Sequence, residues 1–226
     1  YFSLPSPHAP IVPSPQFQGK SKAGGYGDYV VQTDWMAGQV LNALKSNGFD
    51  ENTLVIFTSD NGPELYAYER IKNHGHYSMG DWRGLKRDLW EGGHRVPFIV
   101  RYPGRIEKNS TNHNLTSQLD IMATLAGIVG FSLPENAGED SKDFSGGLFY
   151  KDKKAHRNSL VYHAINGKYA VRKGDWVLIE NNTGSVTKEP QWVKEKNNSQ
   201  PEETPLVLYY LAKDPFEQQN LLERRP

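Results

Sequence analysis

The stretch of sequence that decides the fold reads Thr53-Leu54-Val55-Ile56-Phe57-Thr58-Ser59-Asp60-Asn61-Gly62. Its β-branched and aromatic first half predicts a buried strand over residues 54–57. Its second half places short oxygen-bearing side chains at the carboxyl end of that strand, where ligands bind in open α/β sheets. Asp60 and Asn61 carry the kind of oxygen ligand that a divalent cation binds. The same residues fit an ordinary Asn-Gly turn equally well, so the stretch alone leaves both interpretations open.

The composition of the 226-residue chain excludes several classes of protein. Its 26 basic and 26 acidic residues balance, so we expect no nucleic acid as a partner. The chain has no cysteine, which excludes disulfides, thiolate metal sites and a cysteine nucleophile within it. We expect no membrane span either, because no apolar run approaches the roughly 18 residues that a spanning helix needs.

Helices and strands alternate around the deciding stretch. Apolar residues at three- and four-residue spacing predict a helix over residues 26–46, which Asn47-Gly48 ends. A second apolar strand is predicted over residues 96–100 and a second helix over residues 119–129. A helix followed by a strand is the order found in a wound α/β sheet. The sequence therefore predicts an α/β fold with helices flanking the sheet.

The pattern changes from residue 159 onward. Short apolar runs predict the four strands of a small antiparallel sheet, over residues 160–163, 168–172, 176–180 and 206–211. Gly174-Asp175, between two of these runs, has the composition of a hairpin turn. We expect the polar insertion at residues 181–204 to be exposed. The predicted domains are an α/β core, residues 1–145, and an antiparallel β subdomain with a closing segment, residues 146–226.

Three histidines lie in loops and are candidates for chemistry. His8 stands between Pro7 and Pro10, and prolines hold a loop in place at low entropic cost. A single histidine on a loop is nevertheless more commonly a solvated side chain. His74 and His76 lie two residues apart in the long polar loop of residues 63–93. Their spacing fits a metal pair, but no further ligand set is apparent nearby, which favours substrate contact or simple exposure.

The same loop carries basic and aromatic residues. Lys86, beside the glycine of Arg83-Gly84-Leu85-Lys86, can reach an anion as a point charge, although a solvated basic turn is the simpler interpretation. Glu91 and Arg95 are predicted to pair and to brace the loop. Aromatic rings crowd this loop as well, and such rings stack on sugars as well as packing in cores. Taken singly, each of these signals is weak.

The order of the motifs is more specific than any one of them. The chain contains four motifs in this order: Pro-His-x-Pro, Ser-Asp-Asn-Gly, Arg-Gly-x-Lys and Glu-Gly-Gly-x-Arg-Val-Pro. This succession resembles the formylglycine-dependent sulfatases of the alkaline phosphatase superfamily. Residues 118–125, 169–176 and 208–217 resemble later segments of that family. The resemblance covers nearly the whole chain apart from residues 181–204, and it implies a wound sheet of the alkaline phosphatase type.

The resemblance also implies a site and a reaction. Asp60 and Asn61 would be two ligands of a calcium ion, which holds the sulfate beside a formylglycine made from Cys or Ser. Lys86 and His8 would be catalytic, with Lys86 binding sulfate oxygens and His8 helping to protonate the leaving alcohol. We further expect the substrate to be contacted by Arg83, His74 and His76. The expected substrate is a sulfated carbohydrate or an aryl sulfate, and the aromatic, histidine-bearing loop favours the carbohydrate.

The chain departs from the family pattern in one respect. It contains neither the nucleophile motif, Cys or Ser followed by x-Pro-x-Arg, nor an Asp-Asp pair for the remaining metal ligands. In the family both belong to the N-terminal half. We therefore expect this chain to be a segment of a longer sulfatase, inactive by itself. It would need its N-terminal half as a partner or oligomerise through an exposed sheet edge.

Two other functions remain open at this point. One is a phosphatase or phosphonate monoester hydrolase of the same superfamily, since phosphate and sulfate are close in shape. The other is a non-catalytic module that binds a carbohydrate or an anion. Family habit implies a periplasmic or secreted protein, or a lysosomal one in a eukaryote.

Overall fold

The computed structural model describes residues 1–149, 155–197 and 203–222. The chain divides into two compact units. The first unit contains Tyr1–Lys86 and Glu91–Pro103, and the second contains Arg87–Trp90 and Gly104–Pro226. The domain boundary expected at residue 145 lies inside the second unit, and that domain division stays a prediction.

The first unit is built around one long helix and a pair of short strands. Its regular elements are α1 Gly24–Ser46, β1 Val55–Thr58, α2 Ala67–His74, α3 Glu91–His94 and β2 Phe98–Arg101. Helix α1 ends at Asn47, and Gly48 follows with φ +75°, which confirms the predicted stop. Among the described residues, no helix is both long and apolar enough to cross a membrane.

The two strands of the first unit pair antiparallel. Val55 pairs with Arg101 and Thr58 with Phe98. The carboxyl end of β1 therefore lies beside the amino end of β2, and the residues that follow Thr58 begin close to those that precede Phe98. This pairing brings the deciding stretch next to the glycine-rich segment in front of β2.

The second unit carries the small sheet that the sequence predicts. Its elements are α4 Ile121–Val129, α5 Ser145–Phe149, β3 Ser159–His163, β4 Tyr169–Lys173, β5 Trp176–Ile179, α6 Gln191–Asn197 and β6 Val207–Tyr210. The strands lie in the order β3-β4-β5-β6, and every neighbouring pair is antiparallel. Lys173 pairs with Trp176 across the two-residue loop Gly174-Asp175, in which Gly174 has φ +58°. The predicted hairpin is confirmed.

The core of the second unit lies on one face of this sheet. Val177, Ile179 and Val207 are fully buried there. Leu89 and Trp90 pack into the same cluster, each with 1% of its surface exposed. This burial explains why residues 87–90 belong to the second unit although they follow the first in sequence.

The insertion at residues 181–204 is not exposed as expected. Within its described part, Gly184 lies against the indole of Trp90, so that a Cβ there would stand 2.5 Å from Trp90 Cδ2. Glu189 and Val193 are 5% and 4% exposed. The expectation was wrong for these residues. Around Gly184 the reason is a contact that composition does not show, in which the main chain and side chains of residues 184–187 form hydrogen bonds with residues 88–90.

Candidate functional site

The deciding stretch is joined to its neighbours through the main chain. Gly62 N donates a hydrogen bond of 2.9 Å to the carbonyl oxygen of Gly93, just after the start of α3. Lys86 N donates one of 2.8 Å to the carbonyl oxygen of Pro63. The segments that carry Asp60, Asn61 and Lys86, far apart in sequence, are thus brought together.

Glycines make this approach sterically feasible. Gly92 N donates to the Arg83 carbonyl oxygen at 2.7 Å. A Cβ on Gly92 would stand 2.5 Å from the Gly84 carbonyl oxygen, and a Cβ on Gly62 would collide with the Gly92 carbonyl oxygen. Only residues without a side chain fit where these three main-chain segments meet. Gly62 of the Ser-Asp-Asn-Gly motif and Gly92, the first glycine of the Glu-Gly-Gly motif, are therefore required by packing.

Asp60 and Asn61 follow β1 in the positions expected for metal ligands. Asp60 is exposed and Asn61 is half-buried. Asn61 Nδ2 donates to the Gly62 carbonyl oxygen at 2.9 Å, which leaves Asn61 Oδ1 available as an acceptor. A carboxylate and an amide oxygen are suitable ligands for calcium, which takes six to eight oxygens.

The described residues do not complete such a site. They contain no group of three or more His, Cys, Asp or Glu side chains that could hold a metal ion. Asp60 and Asn61 offer two of the six to eight oxygen ligands that calcium takes, and their place in a calcium site stays a prediction.

The His8 loop is fastened to helix α1. Ser6, 8% exposed, has its Oγ 2.8 Å from Thr33 Oγ1 on α1. His8 N donates to the Pro5 carbonyl oxygen at 3.0 Å. His8 Nδ1 lies 2.7 Å from the Ala9 carbonyl oxygen, and because a carbonyl only accepts, Nδ1 carries a proton. The contact with Ala9 engages Nδ1, so Nε2 is the ring nitrogen of this exposed side chain that remains for a ligand.

The predicted brace of the Lys86 loop is confirmed. Glu91, 2% exposed, binds Arg95 with Oε2 at 2.5 Å from Nε. The Arg95 guanidinium also stacks on the Trp82 ring, its central carbon 3.7 Å from the ring centre. Arg83, next to that ring, is only 6% exposed. Its predicted contact with substrate stays a prediction.

His74 and His76 are both exposed, and each contacts a different set of residues. A Cβ on Gly24 would stand 2.8 Å from His74 Nε2, so the His74 ring covers the start of α1. His76 Nδ1 is 3.2 Å from Ser78 Oγ, and its ring lies 6.3 Å from that of Tyr26. Their role in substrate contact stays a prediction.

Arg70 is a buried cation near His76 that the sequence did not single out. It is 7% exposed, its guanidinium carbon lies 3.6 Å from the centre of the Tyr26 ring, and its Nε donates to Ser78 Oγ at 2.9 Å. Burial lowers the pKa of Arg70, while the Tyr26 phenol acts in the opposite direction. Arg70 lies on α2, so the predicted loop of residues 63–93 is wrong for residues 67–74. The sequence offered only an arginine among aromatic residues, which did not distinguish Arg70 from its neighbours.

A second buried charge, Asp120, lies at the start of α4 and was also missed. Its carboxylate, fully buried, accepts hydrogen bonds from Arg157 Nη2 at 2.5 Å and Arg157 Nε at 3.0 Å. Ser117 N and Lys142 N also donate to it, and His156 Nε2 lies 3.0 Å away. Burial by itself raises the pKa of Asp120, but these hydrogen bonds, the one from Arg157 first, outweigh it and lower the pKa. The network ties distant segments together and is structural.

Two family models match the chain. The Sulfatase model matches residues 1–131, and the model of the C-terminal part of N-sulphoglucosamine sulphohydrolase matches residues 80–225. These matches, with the fold and the motif order, place the chain in the class of sulfatases with an alkaline phosphatase-like fold. The chain belongs to the sulfatase family.

Individual relatives agree with this assignment. N-acetylgalactosamine-6-O-sulfatase of Bacteroides thetaiotaomicron is 38% identical over all of this chain and 44% of its own length. Human arylsulfatase A is 34% identical over 98% of this chain and 44% of its own length. The chain thus spans less than half the length of these relatives.

A solved structure confirms the predicted fold. A protein of glycosaminoglycan metabolism from Bacteroides thetaiotaomicron is 37% identical, with a TM-score of 0.83 over 98% of this chain and 45% of that protein. The α/β fold of the alkaline phosphatase type, expected from the resemblance, is therefore correct.

Proposed function

We propose that the full-length protein containing this chain is an enzyme that hydrolyses the sulfate esters of a carbohydrate. The observation that carries the proposal is the main-chain junction that joins the Asp60-Asn61 turn to the Lys86 turn, in a chain of the sulfatase family. It supports the proposal because the residues proposed as metal ligands and the lysine proposed to bind an anion belong to segments whose main chains are hydrogen-bonded.

The proposed substrate class is a sulfated glycan. One relative that spans this whole chain is an N-acetylgalactosamine-6-O-sulfatase. The exposed side chains of Tyr66, Tyr77 and the two histidines fit a sugar better than a small planar sulfate. We propose 6-O-sulfated N-acetylgalactosamine as the first substrate to test.

His8 and Lys86 would both act on the oxygen of the leaving alcohol. When a sulfate ester is cleaved, negative charge develops on the oxygen of the leaving alcohol. The Lys86 ammonium would stabilise this charge more strongly in the transition state than in the ground state. His8 would deliver a proton from Nε2, because its Nδ1 proton is engaged by the Ala9 carbonyl oxygen.

Asp60 and Asn61 would hold calcium together with ligands from the N-terminal half of the protein. The ion supplies positive charge that binds and polarises the sulfate group. The formylglycine would likewise come from the N-terminal half of the protein. On this proposal the chain by itself releases no sulfate, and its partner is that N-terminal half.

We propose in addition that the protein is periplasmic or secreted, or lysosomal in a eukaryote, as in the family it resembles. Cell fractionation that found the full-length protein in the cytosol would contradict this placement. Association of the isolated chain through the open edges of the β1–β2 pair is a separate proposal, tested by sedimentation.

Sulfate release by the full-length protein tests the proposed function. We expect turnover of an aryl sulfate and of 6-O-sulfated N-acetylgalactosamine, and slower turnover of the matching phosphate esters. The Lys86→Ala variant is expected to lower kcat by about 10²–10³-fold, the typical loss for one transition-state donor. Lys72→Ala, an exposed lysine on α2, is the matched control.

Three outcomes would contradict the proposal. Faster turnover of phosphate esters would make the protein a phosphatase or phosphonate monoester hydrolase. Glycan binding without any turnover would make it a non-catalytic binding protein. An unchanged kcat in the Lys86→Ala variant would remove Lys86 from the mechanism.

A further inference from the structure

Two aromatic side chains stand side by side on the small sheet of the second unit. Trp176 on β5 and Tyr210 on β6 are register partners. Their ring centres are 4.5 Å apart with 33° between the ring planes. Their neighbours in sequence, Val177 and Tyr209, are 0% and 4% exposed and belong to the core. Since side chains alternate along a strand, Trp176 and Tyr210 lie on the opposite, outer face.

The aromatic pair lines an open cleft of about 650 Å³. Polar and apolar side chains complete the lining, namely those of Lys213, Asp214, Gln219 and Leu221. Lys213 and Gln219 are exposed. Asp214 Oδ2 accepts hydrogen bonds of 2.8 and 2.7 Å from the main-chain N–H groups of residues 218 and 219. This carboxylate therefore shapes the wall of the cleft, and its negative charge is partly compensated by these two main-chain N–H groups.

Positive charge lies near the aromatic pair on two sides. Lys213 lines the cleft itself. Lys173 on β4 is the register partner of Trp176 and is exposed on the same outer face. An aromatic pair between two lysines offers apolar ring surface and cationic hydrogen-bond donors within one surface.

We propose that this cleft binds a sulfated glycan. The aromatic rings would pack against the apolar face of a sugar ring. Lys213 and Lys173 would bind sulfate groups as point charges, and the Gln219 amide would bond to hydroxyl groups. The choice of a sulfated ligand rests on the proposed function. The site itself rests on the cleft and its lining, and its residues are not among those assigned to sulfate hydrolysis.

Calorimetry of the full-length protein tests the cleft. The probe is an oligosaccharide that carries 6-O-sulfated N-acetylgalactosamine, titrated in the presence of a chelator so that no sulfate is released. We expect the Lys213→Ala/Lys173→Ala variant to bind this probe about tenfold more weakly, a loss of about 1.4 kcal/mol. The unsulfated oligosaccharide should bind wild-type protein more weakly by a similar factor. Lys168→Ala, in the exposed turn between β3 and β4, is the matched control.

The aromatic contribution needs a second variant. Tyr210→Ala is expected to weaken binding of both the sulfated and the unsulfated oligosaccharide, and far-ultraviolet circular dichroism reports whether the sheet is retained. If this variant unfolds, the lysine variants still decide the proposal, because both lysines are exposed. Wild-type affinity in the double lysine variant, or an equal loss in Lys168→Ala, overturns the proposal.

Turnover separates the cleft from the proposed function. The lysine variants are expected to hydrolyse sulfated monosaccharide at the wild-type rate while their KM for the oligosaccharide rises. If the wild-type protein releases no sulfate at all, the proposed function fails, yet the calorimetric comparison still tests the cleft. An unchanged KM for the oligosaccharide in active protein counts against the cleft alone.

Discussion

At the scale of single residues, glycines and buried charges position the side chains that would carry the chemistry. Gly62 and Gly92 let three main-chain segments meet without a side chain between them. Asp120 does comparable work in the second unit, where one buried carboxylate gathers donors from four other residues. A side chain added at Gly92 would disturb the first feature, and removal of the Asp120 charge would disturb the second. Each feature can therefore be tested by one substitution.

Gly92→Ala is expected to destabilise the protein and to reduce sulfate release. The new Cβ would stand 2.5 Å from the Gly84 carbonyl oxygen and 2.6 Å from that of Arg83. Moving these main-chain atoms costs about 1–3 kcal/mol, as overpacking typically does. Thermal unfolding measures the loss. Gly38→Ala in α1 is the control, because outside the neighbouring main chain of the helix no atom lies within 4 Å of the added Cβ. This variant is expected to raise the free energy of unfolding by about 0.5–1 kcal/mol. A Gly92→Ala protein as stable and active as wild type would refute this packing.

Asp120→Asn is expected to lower the free energy of unfolding by about 3–5 kcal/mol, because it leaves the buried Arg157 guanidinium without its counter-charge. Denaturant unfolding measures this loss. Asp175→Asn, an exposed aspartate in the hairpin loop, should change stability by less than about 0.5 kcal/mol. Equal stability of the two variants would contradict the role given to Asp120.

The lowered pKa of Asp120 also fixes the sign of a pH effect. The stabilisation is present above the ordinary aspartate pKa of 3.8 and is lost as the pH falls through the lower pKa of the folded state. Wild-type protein should therefore lose stability below about pH 4 more steeply than the Asp120→Asn variant. Melting temperatures of both proteins between pH 3 and pH 7 test this, and parallel curves would count against it.

At the scale of elements, the sequence predicts what is local and misses what is not. Helix α1, its Asn47-Gly48 end and the hairpin at Gly174-Asp175 follow from periodicity and turn chemistry, which neighbouring residues determine. The antiparallel pairing of β1 with β2 joins residues forty or more positions apart in sequence, and no local pattern encodes it. The prediction that the insertion is exposed is wrong for the same reason, since Gly184 packs against Trp90, which lies far away in sequence.

The same distinction between local and nonlocal features applies to the candidate site. The motif order locates Asp60, Asn61, His8 and Lys86 as candidates, because family motifs are contiguous stretches of sequence. Ser117 and Asp120 form a capping box, which is a local motif, but the donors at residues 142, 156 and 157 lie 22 to 37 residues from Asp120, and neither motif nor spacing links them to it. Nonlocal hydrogen bonds are therefore the part that only the structure supplies.

The contact between residues 87–90 and the insertion yields a prediction for an element. Asp88, 1% exposed, accepts hydrogen bonds from Val186 N at 2.8 Å and Thr187 N at 2.7 Å. Asp88→Ala leaves both N–H groups without this acceptor and is expected to cost about 1–3 kcal/mol. Asp81→Ala, an exposed aspartate in the same loop, is the control for thermal unfolding. Equal melting temperatures for the two variants would refute the contact.

At the scale of the whole molecule, the chain leaves large apolar side chains uncovered. Trp35 on α1 is 48% exposed, Ile99 on β2 60%, and Val129 and Phe131 at the end of α4 75% and 60%. The proposed N-terminal half would cover these side chains when it packs on the chain. The chain spans about 44% of the length of its relatives, which agrees with the proposed N-terminal half as the partner.

The isolated chain is therefore expected to release no sulfate and to self-associate or aggregate. Sedimentation velocity of the chain by itself measures the second property, and a sulfate-release assay measures the first. Adding the separately expressed N-terminal half should restore solubility and some turnover. A stable, active monomer of the isolated chain would contradict both expectations.

The central claim is that Asp60 and Asn61 form one side of a calcium site in a sulfatase. Calorimetric titration of calcium into the chelator-treated full-length protein tests it most directly, with Asp60→Ala and Asn61→Ala beside Ser59→Ala as the control from the same turn. We predict one ion per molecule for wild type and Ser59→Ala, and binding at least about tenfold weaker in the other two variants, a loss of about 1.4 kcal/mol or more. Wild-type calcium affinity in the Asp60→Ala variant would contradict the claim.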